Sequence, residues 1–374
     1  MRLLFFGTYD AGAHPRVAVL RDGLREHGAR VLECNAPLGL STAARVSMLR
    51  RPWTLPLLAW RLLRRWSSLM LRSARFRRNG QWPDAVVVGY LGHFDVLLAR
   101  RLFPHVPVVL DHLIGASDTA TDRGVSGGLR QQLLRRLDAA ALGSADVIVV
   151  DTEEHRDALP AAHRGRALVV PVGAPRSWYA GRGAPRSDDQ PVRVVFFGLF
   201  TPLQGAPVIG AALAALAGDE QVEVTMIGTG QDLAETRSLA AGNRRVHWLD
   251  WVDAADLPAM VAAHDVCLGI FGTGAKALRV VPNKVFQGAA AGCVVVTSDT
   301  DPQRRALGDA AVLVPPGDPT ALAAALRSLA ADRSRLAAAR SSAAALADST
   351  FTPAAVTAPL HERLLAVVPR RIAP

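Results

Sequence analysis

Every basic residue of this chain is an arginine except two, Lys276 and Lys284, and both stand in one glycine-rich segment, FGTGAKALRVVPNKVFQGAAAGCVVVTSD (271–299). Lys276, Arg279 and Lys284 put three cations within nine positions. The apolar run DVCLGI before them reads as a strand, and FGTGAK as the loop at its end. VPNKVFQGAAAG reads as a helix opening at Pro282 and stopping at Gly292, and CVVVTSD as the next strand. Free backbone N–H groups at a helix N-terminus attract anions. A diphosphate of about two negative charges would take charge-assisted hydrogen bonds there, the strong kind. A lysine is a compact charge on a flexible stem and can follow a leaving phosphate. The segment therefore predicts a phosphate site built from Gly272, Lys276, Arg279, Asn283 and Lys284, with Lys276 the catalytic cation. The alternative is two solvated surface lysines.

A second set of candidate residues follows the apolar runs of the first half: Tyr9, Asp10, His14, His93, Asp111, His112, Asp118 and Asp122. His93 in GYLGHFD follows a strand and a glycine, a good place for a catalytic or phosphate-facing imidazole, and His112 directly after PVVLD is comparable. A lone histidine in such a place is as readily structural, and Asp118 and Asp122 could be a local cap or ion pair.

The elements that must position these residues alternate. Candidate strands are Leu3–Phe6, Val31–Cys34, Ala85–Val88, Pro107–Leu110, Val147–Val150 and Leu168–Val170. Helical stretches fall at Pro15–His27, Leu55–Arg75, Phe94–Phe103, Gly128–Leu142 and Glu153–Leu159. A polar Gly/Pro-rich stretch (173–191) intervenes, and the rhythm restarts with VRVVFFG, Val222–Ile227, Val246–Leu249, Val266–Ile270, Val294–Thr297 and Ala311–Val314. From Pro319 onward the chain reads as Ala/Leu/Arg helix, and a last helix covers Ala354–Val368. Alternation of this kind implies parallel strands with crossover helices. The expected architecture is α/β, with two similar Rossmann-like doubly wound domains, 1–180 and 181–350, joined by a linker, and a C-terminal helix in 351–374. Both halves open with strand then glycine, LLFFGTYDAG and VVFFGLFTPLQG, where backbone can approach a ligand beyond the strand ends. Neither has the GxGxxG fingerprint with a following ribose-binding acid, which counts against a nicotinamide dehydrogenase.

Three stretches, FFGLFTPLQG (196–205), KALRVVPNKVFQGAAAGCVVVTSD (276–299) and ALGDAAVLVPPGDPTALAAAL (306–326), resemble the retaining, family-4 type of nucleotide-sugar glycosyltransferase with the two-domain GT-B fold. The first half matches more loosely, through GTYDAGAHPRVAVLRDGLREHGARV, GYLGHFD and SDTATDR. The resemblance implies a nucleotide-diphospho-sugar donor held by the second half at Gly198, Gln204, Gly228, Gly272, Lys276, Arg279, Asn283, Lys284 and Gln287. It also implies two domains facing each other, 1–180 for the acceptor and 181–350 for the nucleotide-sugar, with 351–374 packing back on the first. Transfer with retention, no metal and no further cofactor are implied as well. His93 and Asp118 are then the catalytic candidates, and Tyr9, Asp10, His14, Asp111 and His112 are assigned to the acceptor side. Members commonly carry a Glu-x7-Glu pair, whose positions here hold Arg279 and Gln287. The Arg and Lys that usually follow the domain's first strand are Leu199 and Gln204. A subgroup with a PL-Q/H-G opening and a K…PNK motif moves those cations to the later loop, which suits Lys276 and Lys284. Gln287 could still hydrogen-bond a ribose hydroxyl. The alternatives are a sugar-nucleotide epimerase or phosphorylase on the same fold, or a catalytically silent nucleotide-sugar-binding protein.

The 374 residues suit two domains, with half of them hydrophobic and a net charge of +10. Cys34, Cys267 and Cys293 lie far apart in apolar runs and read as reduced core residues of a cytoplasmic protein. The N-terminus is too short in its apolar run for a signal peptide, and no run is long enough for a transmembrane helix. The charge is localised: ten arginines and no Asp or Glu lie between Arg45 and Arg78. On a wheel at roughly 100° per residue, Arg61, Arg64, Arg65, Arg72 and Arg75 share an arc of about 100°, opposite Leu58, Leu62, Trp66, Leu69, Met70 and Phe76. With Trp60 and Trp66 at the edges, this reads as peripheral contact with an anionic membrane at the inner face of the cell membrane. The acceptor would then be a glycan, glycolipid or small molecule close to that membrane. The alternative is a helix packed on the first sheet with its arginines solvated. No RNA-recognition strand motif occurs, so no nucleic-acid partner is expected.

Overall fold

The computed structural model describes residues 1–10, 14–40, 48, 52–113, 115, 128–182 and 190–368. The chain divides into two compact units, Met1–Pro171 with Val356–Pro374, and Val172–Ala355.

In the first unit the elements run β1 (Arg2–Gly7), α1 (Pro15–Glu26), β2 (Arg30–Asn35), α2 (Leu55–Arg78), β3 (Ala85–Val88), α3 (Asp95–Leu102), β4 (Val108–Asp111), α4 (Gly128–Ser144), β5 (Val147–Val150), α5 (Glu153–Ala158), α6 (Ala161–Arg164) and β6 (Ala167–Val169). The strands form one sheet in the order β2-β1-β3-β4-β5-β6, every pair parallel. Runs such as AVVV and VIVV are apolar throughout because both faces of the sheet are covered. Leu4, Phe6, Val86, Val88 and Ile148 pack to one side with Leu69 of α2 and Val96 and Ala99 of α3. Leu3, Phe5, Val87 and Val149 point to the other, against Leu20 and Leu24 of α1.

The second unit runs β7 (Val192–Phe197), α7 (Ala206–Ala215), β8 (Val222–Ile227), α8 (Leu233–Leu239), β9 (Val246–Leu249), α9 (Leu257–Ala262), β10 (Val266–Leu268), α10 (Asn283–Ala290), β11 (Val294–Ser298), α11 (Asp301–Leu307), β12 (Ala311–Val314), α12 (Pro319–Ala331) and α13 (Arg333–Leu346). Its sheet, again all parallel, has the order β12-β11-β10-β7-β8-β9. The helix expected from Pro319 onward is broken. Asp332 takes an extended conformation and its carboxylate accepts from Arg335 N, so it caps α13 and ends α12. The last helix, α14 (Pro353–Val367), sends Leu360 and Leu364 into the first unit's core beside Leu3 and Phe5. All three cysteines are free and buried. Among the described residues no helix is long and apolar enough to cross a membrane.

Candidate active site

In the second sheet the chain builds β7, β8 and β9 outward, then crosses back to place β10 on the other side of β7. A crevice opens at such a reversal, beyond the carboxyl ends of the two strands that flank it. Gly198 follows β7 and Gly228 follows β8, both at positive φ (137° and 129°). A Cβ on Gly228 would lie 1.9 Å from the Gly198 carbonyl oxygen, so the two loops touch only because Gly228 has no side chain. Gly228→Ala is therefore expected to cost on the order of 3 kcal/mol, from backbone strain plus overlap, read as a lowered urea midpoint. The β7–α7 loop also lies against the loop after β10: Phe271 N donates to the Gln204 carbonyl at 2.9 Å. A Cβ on Gly272 would stand 2.5 Å from Pro202 O.

Lys284 joins these two loops. Pro282 is extended and precedes α10, which puts Lys284 in the helix's first turn with its stem directed inward. The side chain is buried. Its Nζ donates to Gln204 Oε1 at 2.5 Å and lies 3.7 Å from the centroid of the Phe196 ring. A Cβ on Gly198 would be 3.3 Å from that same nitrogen. Burial pushes the amine down to about 7. The neighbouring Cys267 opposes that fall, and the Phe196 face and the Gln204 oxygen are the groups an ammonium would meet there. Lys284 is thus a desolvated amine reaching across the strand reversal, where the sequence reads as a phosphate-binding cation or, alternatively, a solvated surface lysine. Gly198, Gln204, Gly228, Gly272 and Lys284 are gathered by this one reversal. Lys276 is half-buried at the head of the short 3-10 turn Ala277–Arg279, while Arg279 and Asn283 are exposed. Gln287 is buried one turn further along α10.

Sequence reasoning missed the groups that brace this place. Phe196 supplies the ring under Lys284. Thr297 Oγ1 accepts from Ile270 N at 3.2 Å and donates to the buried Gln303 at 2.5 Å, fixing the end of β10 against β11. The TSD that closes CVVVTSD was the available signal, three polar residues ending an apolar strand.

The first sheet reverses between β1 and β3. His93 follows β3 through a tight turn in which Leu91 has φ 60°. Its imidazole is buried, with Nε2 3.5 Å from Asp138 Oδ1 and its ring 5.3 Å from that of His112. His112 follows β4; burial and the neighbouring His93 push it down to about 3, so it is neutral. Its Nδ1 has no hydrogen-bond partner among the described residues. His14 stacks edge-on with Tyr90 at 4.7 Å, and Asp10 is exposed.

Two acceptor-side assignments are corrected. Asp111 lies inside the unit, paired at 2.8 Å with the equally buried Arg16, which also donates to Pro171 O. Tyr9 is buried with its hydroxyl on Glu33 at 3.4 Å, and burial raises its phenol above the ordinary range. Asp118 and Asp122 lie outside the described residues. Asp95, unremarked within GYLGHFD, is the fixed point of the loop after β1: it accepts from Thr8 N at 2.7 Å and Thr8 Oγ1 at 2.8 Å. It also accepts from the Trp66 indole at 3.0 Å. That bond turns Trp66 inward against the sheet, correcting its assignment to a membrane. Arg72, assigned likewise, donates to the Asn35 carbonyl.

Residues 191–332 match the family of glycosyl transferases group 1. This stretch is a glycosyltransferase domain. No curated protein matches the chain by sequence. Among solved structures, it is similar to Anabaena HepE in complex with UDP-glucose (16% identity, 98% of this chain and 100% of that one, TM-score 0.68). It is similar also to sucrose-phosphate synthase from Thermosynechococcus elongatus (16%, 98% and 99%, 0.70). A third is an alpha,alpha-trehalose-phosphate synthase (UDP-forming) from Burkholderia vietnamiensis (14%, 98% and 100%, 0.62). At these identities the likeness establishes the fold, which is GT-B across the chain.

All the donor-side positions, from Gly198 to Gln287, fall within the glycosyltransferase domain's matched stretch, whereas His93, His112 and their neighbours lie outside it. Among the described residues no group of three His, Cys, Asp or Glu could hold a metal ion. What the domain presents at its strand reversal is one buried amine, a half-buried lysine and two glycine turns.

Proposed function

We propose that the chain transfers a sugar from a nucleoside-diphosphate sugar to a hydroxyl acceptor with retention at the anomeric carbon, the donor being held by the second unit. The observation that carries this reading is the Lys284–Gln204 contact, which puts an amine across the β7/β10 reversal beside Gly198. In this reading the diphosphate lies over the glycine turns, where backbone can approach it, and takes its counter-charge from Lys284 and Lys276. Arg279 and Asn283 are exposed at the same end of α10, and Gln287 is assigned to the ribose. The bond from the anomeric carbon to the diphosphate oxygen breaks, and the diphosphate keeps the electron pair. The acceptor oxygen bonds to the same carbon from the same face, and its proton passes to the departing phosphate oxygen. Removal of water and alignment of the two substrates supply the rate. His93 and Asp118 are the candidates for orienting the acceptor hydroxyl. No metal is required by this scheme. That HepE is described with UDP-glucose, and the trehalose-phosphate synthase as UDP-forming, favours a uridine donor.

A panel of nucleotide sugars in a thermal-melting assay tests the reading. One of them, expected to carry uridine, should raise the melting temperature and be slowly hydrolysed, releasing the nucleoside diphosphate. A panel that moves nothing overturns it. Binding without any release favours a silent binding protein instead. Once an acceptor is found, the anomeric configuration of the product by NMR decides retention.

A further inference from the structure

We propose that the outward face of α2 docks on an anionic phospholipid bilayer. The helix has a face that the fold accounts for: Leu69 and Ser73 are buried, and Trp66 is hydrogen-bonded inward to Asp95. The opposite face is exposed and carries large apolar side chains among its arginines. Trp60 is 57% exposed and Leu71 69%, Leu63 on the flank is 60% exposed, and Trp53 in the turn just before the helix is 76% exposed. Arg64, Arg75 and Arg78 are exposed as well. At roughly 100° per residue these three share an arc of about 60° with Trp60 and Leu71. The surface is thus not the arrangement the sequence wheel suggested, arginines to one side and apolar residues to the other. It interleaves large apolar side chains with guanidinium groups; Arg64 lies over the Trp60 ring at 5.8 Å.

Charge and hydrophobicity together select the occupant. Between Arg45 and Arg78 there is no acidic residue to neutralise the arginines. A second copy of the chain meeting the same face would set arginine against arginine, since a two-fold interface is self-complementary. A nucleic acid would satisfy the arginines and leave the tryptophans and leucines in water. A bilayer rich in anionic headgroups satisfies both. The apolar residues enter the headgroup–acyl boundary, and the arginines, whose aliphatic stems allow it, keep their heads at the phosphate level. The consequence, an acceptor met at the membrane, rests on the transferase reading; the docking itself does not.

Flotation of the full chain with vesicles tests it. The protein should rise with vesicles of phosphatidylcholine mixed with phosphatidylglycerol and stay behind with phosphatidylcholine alone. Arg64→Gln, Arg75→Gln and Arg78→Gln combined should weaken partitioning about 100-fold. Trp60→Ser with Leu71→Ser should make whatever binding is left reversible by salt, because only the electrostatic part survives. No flotation, or equal flotation with both vesicles, overturns the proposal. So does a dimer in sedimentation equilibrium that Trp60→Ser with Leu71→Ser dissociates. Melting of each variant with and without the nucleotide sugar separates the two readings. An intact donor shift with no vesicle binding sinks the docking alone, and flotation with no donor shift in the parent protein sinks the transferase reading alone.

Discussion

Lys284→Met is expected to weaken binding of the nucleotide-sugar donor by about 30- to 100-fold while leaving the melting temperature of the free protein unchanged or raised. A charge-assisted contact to a phosphate is worth about 1.5–3 kcal/mol, and methionine fills the same channel without an amine. The two halves of the prediction pull apart because Lys284 is costly to the fold. Its nitrogen is withdrawn from water between Phe196 and the β7–α7 loop, and burial brings it down to about 7. From about pH 7 up to the ordinary lysine range, near 10.4, the unfolded chain holds a proton that the folded one has released. Stability therefore rises with pH across that window, and the methionine variant should lose this dependence. A residue kept despite such a cost is the expected signature of a binding group. Gln204 loses its donor in the variant but stands at the mouth of a loop that water can reach on the Gly198 side, which is exposed.

The donor supplies a second, sharper reading of the same residue. A bound diphosphate favours the ammonium form, so binding above about pH 7 must take up a proton. Donor affinity should fall as pH rises past that value, by up to about tenfold per unit, and be flat below it. Isothermal titration at two pH values in buffers of different ionisation enthalpy measures the proton uptake. Unchanged donor affinity in Lys284→Met, or a lowered melting temperature with normal affinity, would make the amine a structural group and sink the phosphate assignment.

Much of this architecture is legible in the chain because buried parallel strands write themselves as short apolar runs. Ala85–Val88, Val147–Val150, Val222–Ile227 and Val246–Leu249 are found at the residues their runs mark. Side-chain direction over long sequence distance is what the letters withhold. Lys284 sits in a motif that announces cations, yet its burial depends on a contact with Gln204, 80 residues earlier. Trp66 was placed on the correct side of its helix, away from the arginines; periodicity could not say whether that side met a sheet or a lipid. The Asp95 carboxylate settles it. Leu57, Trp60 and Leu71 fall outside the apolar side of that wheel and emerge as exposed only once the sheet has claimed the other face. Asp111 reads as a strand-end acid free to meet a ligand, because nothing local signals an arginine 95 residues away.

That arginine gives the largest expected effect on stability. Arg16→Met should destabilise the first unit by about 4 kcal/mol, since it strands a carboxylate that has no access to water. Both side chains of the Arg16–Asp111 pair are buried, and Arg16 is held again by the Pro171 carbonyl, where the chain leaves the first sheet. Asp111 is raised from the ordinary carboxylate range by burial, with Arg16 opposing that rise. Without Arg16 it should rise further. An acid raised in the folded state holds its proton there at pH values where the unfolded chain has lost it. Stability therefore falls as pH climbs from the ordinary aspartate value through the raised one, and the variant should be closest to the parent in mild acid and furthest from it at neutrality. Adding Asp111→Asn to Arg16→Met removes the stranded charge and should recover most of the loss, the pattern expected of a buried pair in which breaking one partner is the costly event. Urea unfolding of Arg16→Met, Asp111→Asn and the double variant at pH 5 and at pH 7 reads all of this. A loss below about 1 kcal/mol in the single variant, or a double variant as unstable as the sum of its parts, would mean the pair is not what holds β4 in place. The same pair carries a consequence for the first unit's candidate residues. Asp111 directly precedes His112, whose ring meets that of His93, so any shift of the β4 end moves both imidazoles. If those rings orient the acceptor, the double variant, folded but without the anchoring ion pair, should bind donor normally and turn over more slowly.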